Sequence, residues 1–214
     1  TDSTKPQCSY YKVTPTSKVI ENITILRDSN ATFKTKCFYI VGESYVLLKN
    51  VAVYTPPSAM IADEAIILND CANVTFKDVT IEGSYSQINR SGYGISMNNI
   101  WNSQYFRLVG HAKWGIFGTN NVSKAYFTDC DINRFDIHCY GGDISFSNCE
   151  FYNMFNQFSS IFGMISFDKC HFSQYAPVLF ETSYNAYTGF DLVINDCVFD
   201  VKPRNNYLIS AGLV

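Results

Sequence analysis

Two small groups of side chains in this 214-residue chain carry the means for acid–base chemistry or ligand capture. The first is Asp131, Glu150 and His171. Each occupies the seventh place of a recurring eight-residue window, the place expected to face outward. Carboxylates on adjoining rungs would stand about one strand spacing apart, close to the ~5 to 5.5 Å that a retaining glycosidase needs, with His171 as a proton partner. An ordinary solvated face, with Glu150 paired to His171, is the plain alternative.

The second group is Trp114, Phe117, Arg134, Asp136, His138 and Tyr140. Strand alternation in Asp136-Ile-His-Cys-Tyr140 buries Ile137 and Cys139 and turns Asp136, His138 and Tyr140 outward, with Phe117 beside His138. Aromatic faces with Arg, Asp and His nearby suit stacking against sugar rings while binding their hydroxyls or carboxylates.

The elements that must position these residues are read from the window itself. It recurs as KVIENITI from Lys18, VLLKNVAV from Val46, VTFKDVTI from Val74, QYFRLVGH from Gln104, AYFTDCDI from Ala125, ISFSNCEF from Ile144, ISFDKCHF from Ile165 and LVINDCVF from Leu192. Third and sixth places are apolar in every copy, so the chain must turn a corner between them. Asn22, Asn50, Asp78, Asp129, Asn148 and Asp196 fill the fifth place, and Asn and Asp tolerate the left-handed conformation of a tight corner.

Stacked coils would align Phe76, Phe106, Phe127, Phe146 and Phe167 in one column and Cys130, Cys149, Cys170 and Cys197 in another, the latter as free thiols. The copy at Gln104 departs from the pattern, placing Leu108 at the bend and His111 inward. Apolar segments such as Ile66-Ile-Leu68, Ile95-Ser-Met97 and Val178-Leu-Phe180 supply a third strand per coil.

Three strands per coil with an Asn-rich bend resembles the pectate-lyase-like superfamily of right-handed parallel β-helices, over roughly residues 18 to 214. The resemblance implies an all-β, single-stranded solenoid of about eight coils. That superfamily includes polysaccharide lyases, polygalacturonases, phage tailspikes and non-enzymatic surface proteins. The Asn-Thr-Asp, Asp-Asp, Gly-His-Gly and Arg-Ile-Lys set of polygalacturonases is missing, so no catalytic residue carries over. An antiparallel sandwich, the rival fold, is disfavoured by the in-register motif and by the scarcity of Asn-Gly or Asp-Gly turns.

Composition sets the remaining bounds. A 47% apolar share supports one domain, 1–214, with 1–17 as a lead-in and 18–214 as coils, expected to be part of a longer protein. A net charge of -3 with scattered basic residues gives no footprint for nucleic acid. No apolar run approaches the ~18 residues of a membrane span. Eight cysteines lack the spacing of a zinc site, and neither metal nor cofactor is expected.

Sequons at Asn22, Asn30, Asn73, Asn89 and Asn121 fit a glycosylated, extracellular exterior. The expected function is recognition of a polysaccharide or glycan on a secreted, cell-surface or virion-surface module. The alternatives are a depolymerising lyase or glycoside hydrolase, and a structural shaft of a spike or fibre. Expected partners, besides the glycan, are flanking domains or other subunits capping the helix ends, with a homotrimer expected by analogy to tailspikes.

Overall fold

The computed structural model describes residues 16–27, 36–56, 64–83, 93–112, 114–152, 156–174, 178–181, 189–201 and 209–212. The N-terminal stretch 1–15 and the sequons at Asn30 and Asn89 lie outside them. The strands are β1 (Lys18–Leu26), β2 (Phe38–Val41), β3 (Ser44–Thr55), β4 (Ile66–Gly83), β5 (Tyr93–Phe106), β6 (Val109–Ala112), β7 (Gly115–Thr128), β8 (Asp131–Ile132) and β9 (Phe135–Ser147). They continue with β10 (Glu150–Tyr152), β11 (Asn156–Ser159), β12 (Ile161–Asp168), β13 (His171–Gln174), β14 (Val178–Glu181), β15 (Gly189–Asn195), β16 (Val198–Val201) and β17 (Ile209–Gly212).

All registered pairings between these strands are parallel, and each joins a coil to the next, as in β1–β3, β3–β4, β4–β5, β5–β7, β7–β9, β9–β12 and β12–β15. The chain is a right-handed parallel β-helix. No described residue is helical.

The corners explain the shape. All eighteen described non-glycine residues with positive φ, at 49 to 59°, sit at three recurring places in the coil. One series runs through Asp70, Asn99, Asn121, Tyr140 and Ser160, a second through Tyr45, Asn73, Asn102, Lys124 and Asp143, and the third is the bend read from the sequence. The first two corners bracket a two-residue link such as Cys71-Ala72. They divide each coil into a face before the link (face one), a face after it that carries the first half of the window (face two), and a face after the bend (face three).

Asn or Asp fills twelve of the eighteen corner places, because a short polar side chain lowers the ~1–2 kcal/mol penalty of left-handed backbone. Their side chains also bond from rung to rung: Asn50 Nδ2 donates to Asn22 Oδ1 at 2.8 Å, Asn99 Nδ2 to Asp70 Oδ1 at 2.7 Å, and Asn148 Nδ2 to Asp129 Oδ1 at 2.7 Å.

Inside, rings stack along the axis. Tyr105 lies 4.3 Å from Phe127, Phe127 4.7 Å from Phe146, and Phe146 5.1 Å from Phe167, with their ring planes nearly parallel. Phe151, Phe172 and Phe199 form a parallel stack under face three, at 4.8 and 4.7 Å. The thiol column stands beside them, with Cys130, Cys149 and Cys170 buried, Cys197 half-buried, and all four free. Each donates weakly to a carbonyl two residues earlier, as Cys149 does to Ser147 O at 3.3 Å. Held between the Cys130 and Cys170 sulfurs and buried, Cys149 is pushed far up in pKa and stays a thiol.

One coil departs from the sequence reading by a single residue. Tyr105, not Phe106, pairs with Phe76 and Phe127, Arg107 with φ 51° makes the bend instead of Leu108, and Leu108 is buried above the thiol column. A slip of one residue exchanges the two faces of a strand, so Phe106 and His111 turn outward. Tyr105 takes the core place because its hydroxyl finds a buried acceptor, Met97 Sδ, at 2.8 Å.

Candidate functional site

Face three carries Asp131, Glu150 and His171 on successive rungs: Glu150 pairs in register with Asp131 on one side and His171 on the other. His171 Nδ1 lies 2.8 Å from Glu150 Oε2. Asp131 turns instead toward His111, the residue expected inward, whose Nε2 is 3.2 Å from Asp131 Oδ1 but not aligned for a hydrogen bond. The His111 ring packs edge-on to Tyr152 at 4.7 Å. Burial, then the charges of Asp131 and Glu82, push the Tyr152 hydroxyl up to about 12. Sequence reasoning assigned His111 to the core and missed Tyr152, both consequences of the one-residue slip. The row is thus two imidazole–carboxylate pairs rather than two bare carboxylates.

Face one holds the second predicted group, in an arrangement that alternation alone does not yield. Phe117 is wholly buried in the ring stack, 5.4 Å from both Tyr105 and Phe127, because its partners Ile95 and Phe135 are core residues, and it therefore leaves the predicted binding surface. Asp136, between the inward Phe135 and Ile137, does point away from the coil axis, yet it is 0% exposed. Arg134, 2% exposed, grips it with two charge-assisted bonds: Nε donates to Oδ1 at 2.7 Å and Nη2 to Oδ2 at 2.6 Å. The Trp114 ring covers the guanidinium at 4.3 Å. Arg134 and Asp136 are therefore closed off from solvent and form a buried support rather than an outer surface.

The missing member is Tyr93. Its hydroxyl donates to Asp136 Oδ2 at 2.6 Å and lies 2.8 Å from His138 Nε2. Burial, reinforced by the Asp136 charge, pushes the Tyr93 hydroxyl well above its ordinary value, so it stays protonated. Burial also raises the Asp136 carboxyl, against the pull of Arg134 and Tyr93.

Glycines mark the place. A Cβ on Gly118 would come within 2.3 Å of the Tyr93 ring, and one on Gly115 within 3.1 Å of the Arg134 side chain. Gly115 and Gly118 are the sequence signal that was available, since glycine inside a strand often marks close approach of another group. His138 itself is an extra residue in the ladder: Ile137 pairs with Thr119 and Cys139 with Asn120, leaving His138 bulged between them. The bulge breaks the alternation, so Cys139 is half-buried and donates to Asn120 Oδ1 at 3.4 Å rather than entering the core. Tyr140, 54% exposed, occupies a corner with φ 53°.

A third feature was not foreseen. The outer side of face two, at the coils that open the stack, has a groove of about 430 Å³. Leu47, Thr75 and Gln104 line its floor in one register row, and Tyr45, Asn73 and Asn102 rim it from the corner column. None of its lining residues is charged. Beyond it Lys124 Nζ sits 4.6 Å over the exposed Trp101 ring.

Of the sequons, Asn22, Asn73 and Asn121 all stand at corners, and Asn73 belongs to the groove. Among the described residues no group of His, Cys, Asp and Glu has the arrangement of a metal site, and no helix is long and apolar enough to cross a membrane.

No protein-family model matches the chain, and no curated protein matches it. Among solved structures the chain is similar to the surface protein and adhesin PfbA of Streptococcus pneumoniae. Identity is 10% over 80% of this chain and 68% of that one, with a TM-score of 0.35, a likeness too distant to argue from.

Proposed function

We propose that the chain is a glycan-recognising β-helix module of an extracellular or virion surface, related in coil design to the pectate-lyase-like superfamily. The observation that carries this reading is the uncharged groove on face two. Tyr45, 51% exposed, offers a ring face, while Asn73, Thr75, Asn102 and Gln104 offer paired donors and acceptors repeated from rung to rung. Sugars present the complementary pattern, an apolar ring face edged by hydroxyls. A groove without charge favours a neutral glycan over a uronate or sulfated one.

A glycan array or affinity electrophoresis checks this. Binding to a neutral polysaccharide, weakened at least tenfold by Tyr45→Ala and by Asn102→Ala, is the expected result. Absence of binding to every polysaccharide removes the reading. The Asn73 sequon sharpens the test, because an N-glycan at Asn73 would fill the groove from within. Peptide mass spectrometry of the secreted chain should find Asn73 unmodified if the groove serves a ligand.

A second reading, depolymerisation of a glycan, is favoured by the contiguous row of Asp131, Glu150 and His171 on face three. The groove lies on a different face, so binding there does not present a bond to that row. Release of reducing ends, abolished by Glu150→Gln, would support the enzymatic reading.

A further inference from the structure

The groove on face two belongs to a longer, straight row of side chains. Val19, Leu47, Thr75, Gln104 and Tyr126 pair one with the next from β1 to β7, and the register between those strands never shifts. The row therefore runs along the axis with a step of ~4.8 Å, the spacing of paired strands. Val19, 54% exposed, and the half-buried Leu47 make one end apolar, Thr75 and Gln104 make the middle polar, and the Tyr126 ring, 40% exposed, makes the other end. Tyr126 stands one rung beyond the groove and was not among its lining residues.

Across the strands the site is narrow. Tyr45, Asn73 and Asn102 close one side from the corner column, and Lys49 and Lys77 stand two residues along each strand on the other. Lys49 is paired with Glu21 at 3.9 Å. Asn102 Nδ2 donates to Asn73 Oδ1 at 2.6 Å, which leaves Asn73 Nδ2 and Asn102 Oδ1 without hydrogen-bond partners among the described residues. A donor on one rung and an acceptor on the next suit the hydroxyls of consecutive sugars. At the Tyr126 rung and past it the corner column turns charged, with Lys124 and Asp143, which ends the neutral run.

A ligand that fills this row must be straight, must advance about one rung per residue, and must carry hydroxyls along the edges of an apolar face. Pyranoses joined 1→4 through equatorial bonds meet those terms, because the linkage extends the chain as a flat ribbon whose residue length is close to a rung. An axial linkage curls the chain, and a curled chain leaves a straight row after a few residues. We propose that face two is an axial track for an extended, neutral β-1,4-linked glycan, one sugar per rung over the five rungs from Val19 to Tyr126, with the Tyr126 ring as its far platform. The choice of a sugar rests on the glycan reading above; the linkage, the direction and the role of Tyr126 rest on the row.

Calorimetric titration of the full chain with cellohexaose, mannohexaose, maltohexaose and hexagalacturonate tests the track, followed by shorter oligomers of the β-1,4 series that binds. A β-1,4 hexamer should bind at least tenfold more tightly than maltohexaose, and affinity should rise with length to about five residues and then level off, as one sugar per ~4.8 Å rung requires. Tyr126→Ala should lower hexamer affinity at least fivefold with native circular dichroism, and Tyr126→Trp, which keeps a ring face, should retain it. Equal binding of maltohexaose overturns the linkage, and tighter binding of hexagalacturonate, drawn by Lys49 and Lys77, overturns neutrality. Binding that is lost in Tyr45→Ala and Asn102→Ala but unchanged in Tyr126→Ala overturns the track and leaves the groove intact. No binding by any of the four removes the glycan reading together with the track.

Discussion

At the scale of single residues, charge is placed where a corner needs it. Arg107 stands at a bend that Asn or Asp occupies in most coils, and it donates to Asp78 one rung above, Nε to Oδ1 at 2.6 Å and Nη2 to Oδ2 at 3.0 Å. The Arg107 guanidinium holds the Asp78 carboxyl below its ordinary value. A depressed carboxyl pKa contributes stability above the unfolded value and loses it as pH falls through the folded one. The pair is solvent-exposed, so its effect on folding is small. NMR titration should show the Asp78 carboxyl rising toward its ordinary pKa in Arg107→Ala. The buried pair behaves differently. Arg134→Met leaves the enclosed Asp136 carboxyl without its cationic partner, and chemical denaturation should register a loss of about 3–5 kcal/mol.

At the scale of elements, the sequence made one corner of the coil legible and hid the other two. The bend after face two announces itself because Asn22, Asn50, Asp78, Asp129, Asn148 and Asp196 recur beside fixed apolar places. The other corners carry Tyr45, Lys124, Tyr140 and Ser160 among their Asn and Asp, residues that give no left-handed signal, and a two-residue link is too short to show a period. The slip at Tyr105 has a related cause: phenylalanine looked the better core residue, and only the position of Met97 reveals why tyrosine fits. The bulge at His138 was beyond reach because alternation cannot count an inserted residue. Corner chemistry is open to test. Asn148→Gly keeps left-handed backbone accessible and should cost little, whereas Asn148→Val should lose about 1–2 kcal/mol by denaturant midpoint, beyond its lost bond to Asp129.

At the scale of the whole molecule, cohesion runs along the axis, since coils contact chiefly the coils above and below them. The ring column is the continuous part of that cohesion. Phe146 touches Phe127, Phe135, Phe151 and Phe167 within 4.7 to 5.3 Å, so it ties three successive rungs and all three faces together. Phe146→Ala should cost about 3–5 kcal/mol. In a stack with nearest-neighbour cohesion the damage should also divide the unfolding transition, visible as two steps in calorimetry where the wild type shows one.

The constancy of the three corners against the unequal stretches that join face three to face one has an evolutionary corollary. What fixes registry lies within a short cassette, eight residues from first corner to bend in four coils and nine in the coil of Ser160 and Lys169, and most of the difference in length between coils lies outside it. Duplicating or deleting one cassette with its connector would lengthen or shorten the rod by a single rung of about 4.8 Å without rewriting any neighbour. Descendants of such a gene can therefore change their reach, and the spacing between their surface features, in countable increments.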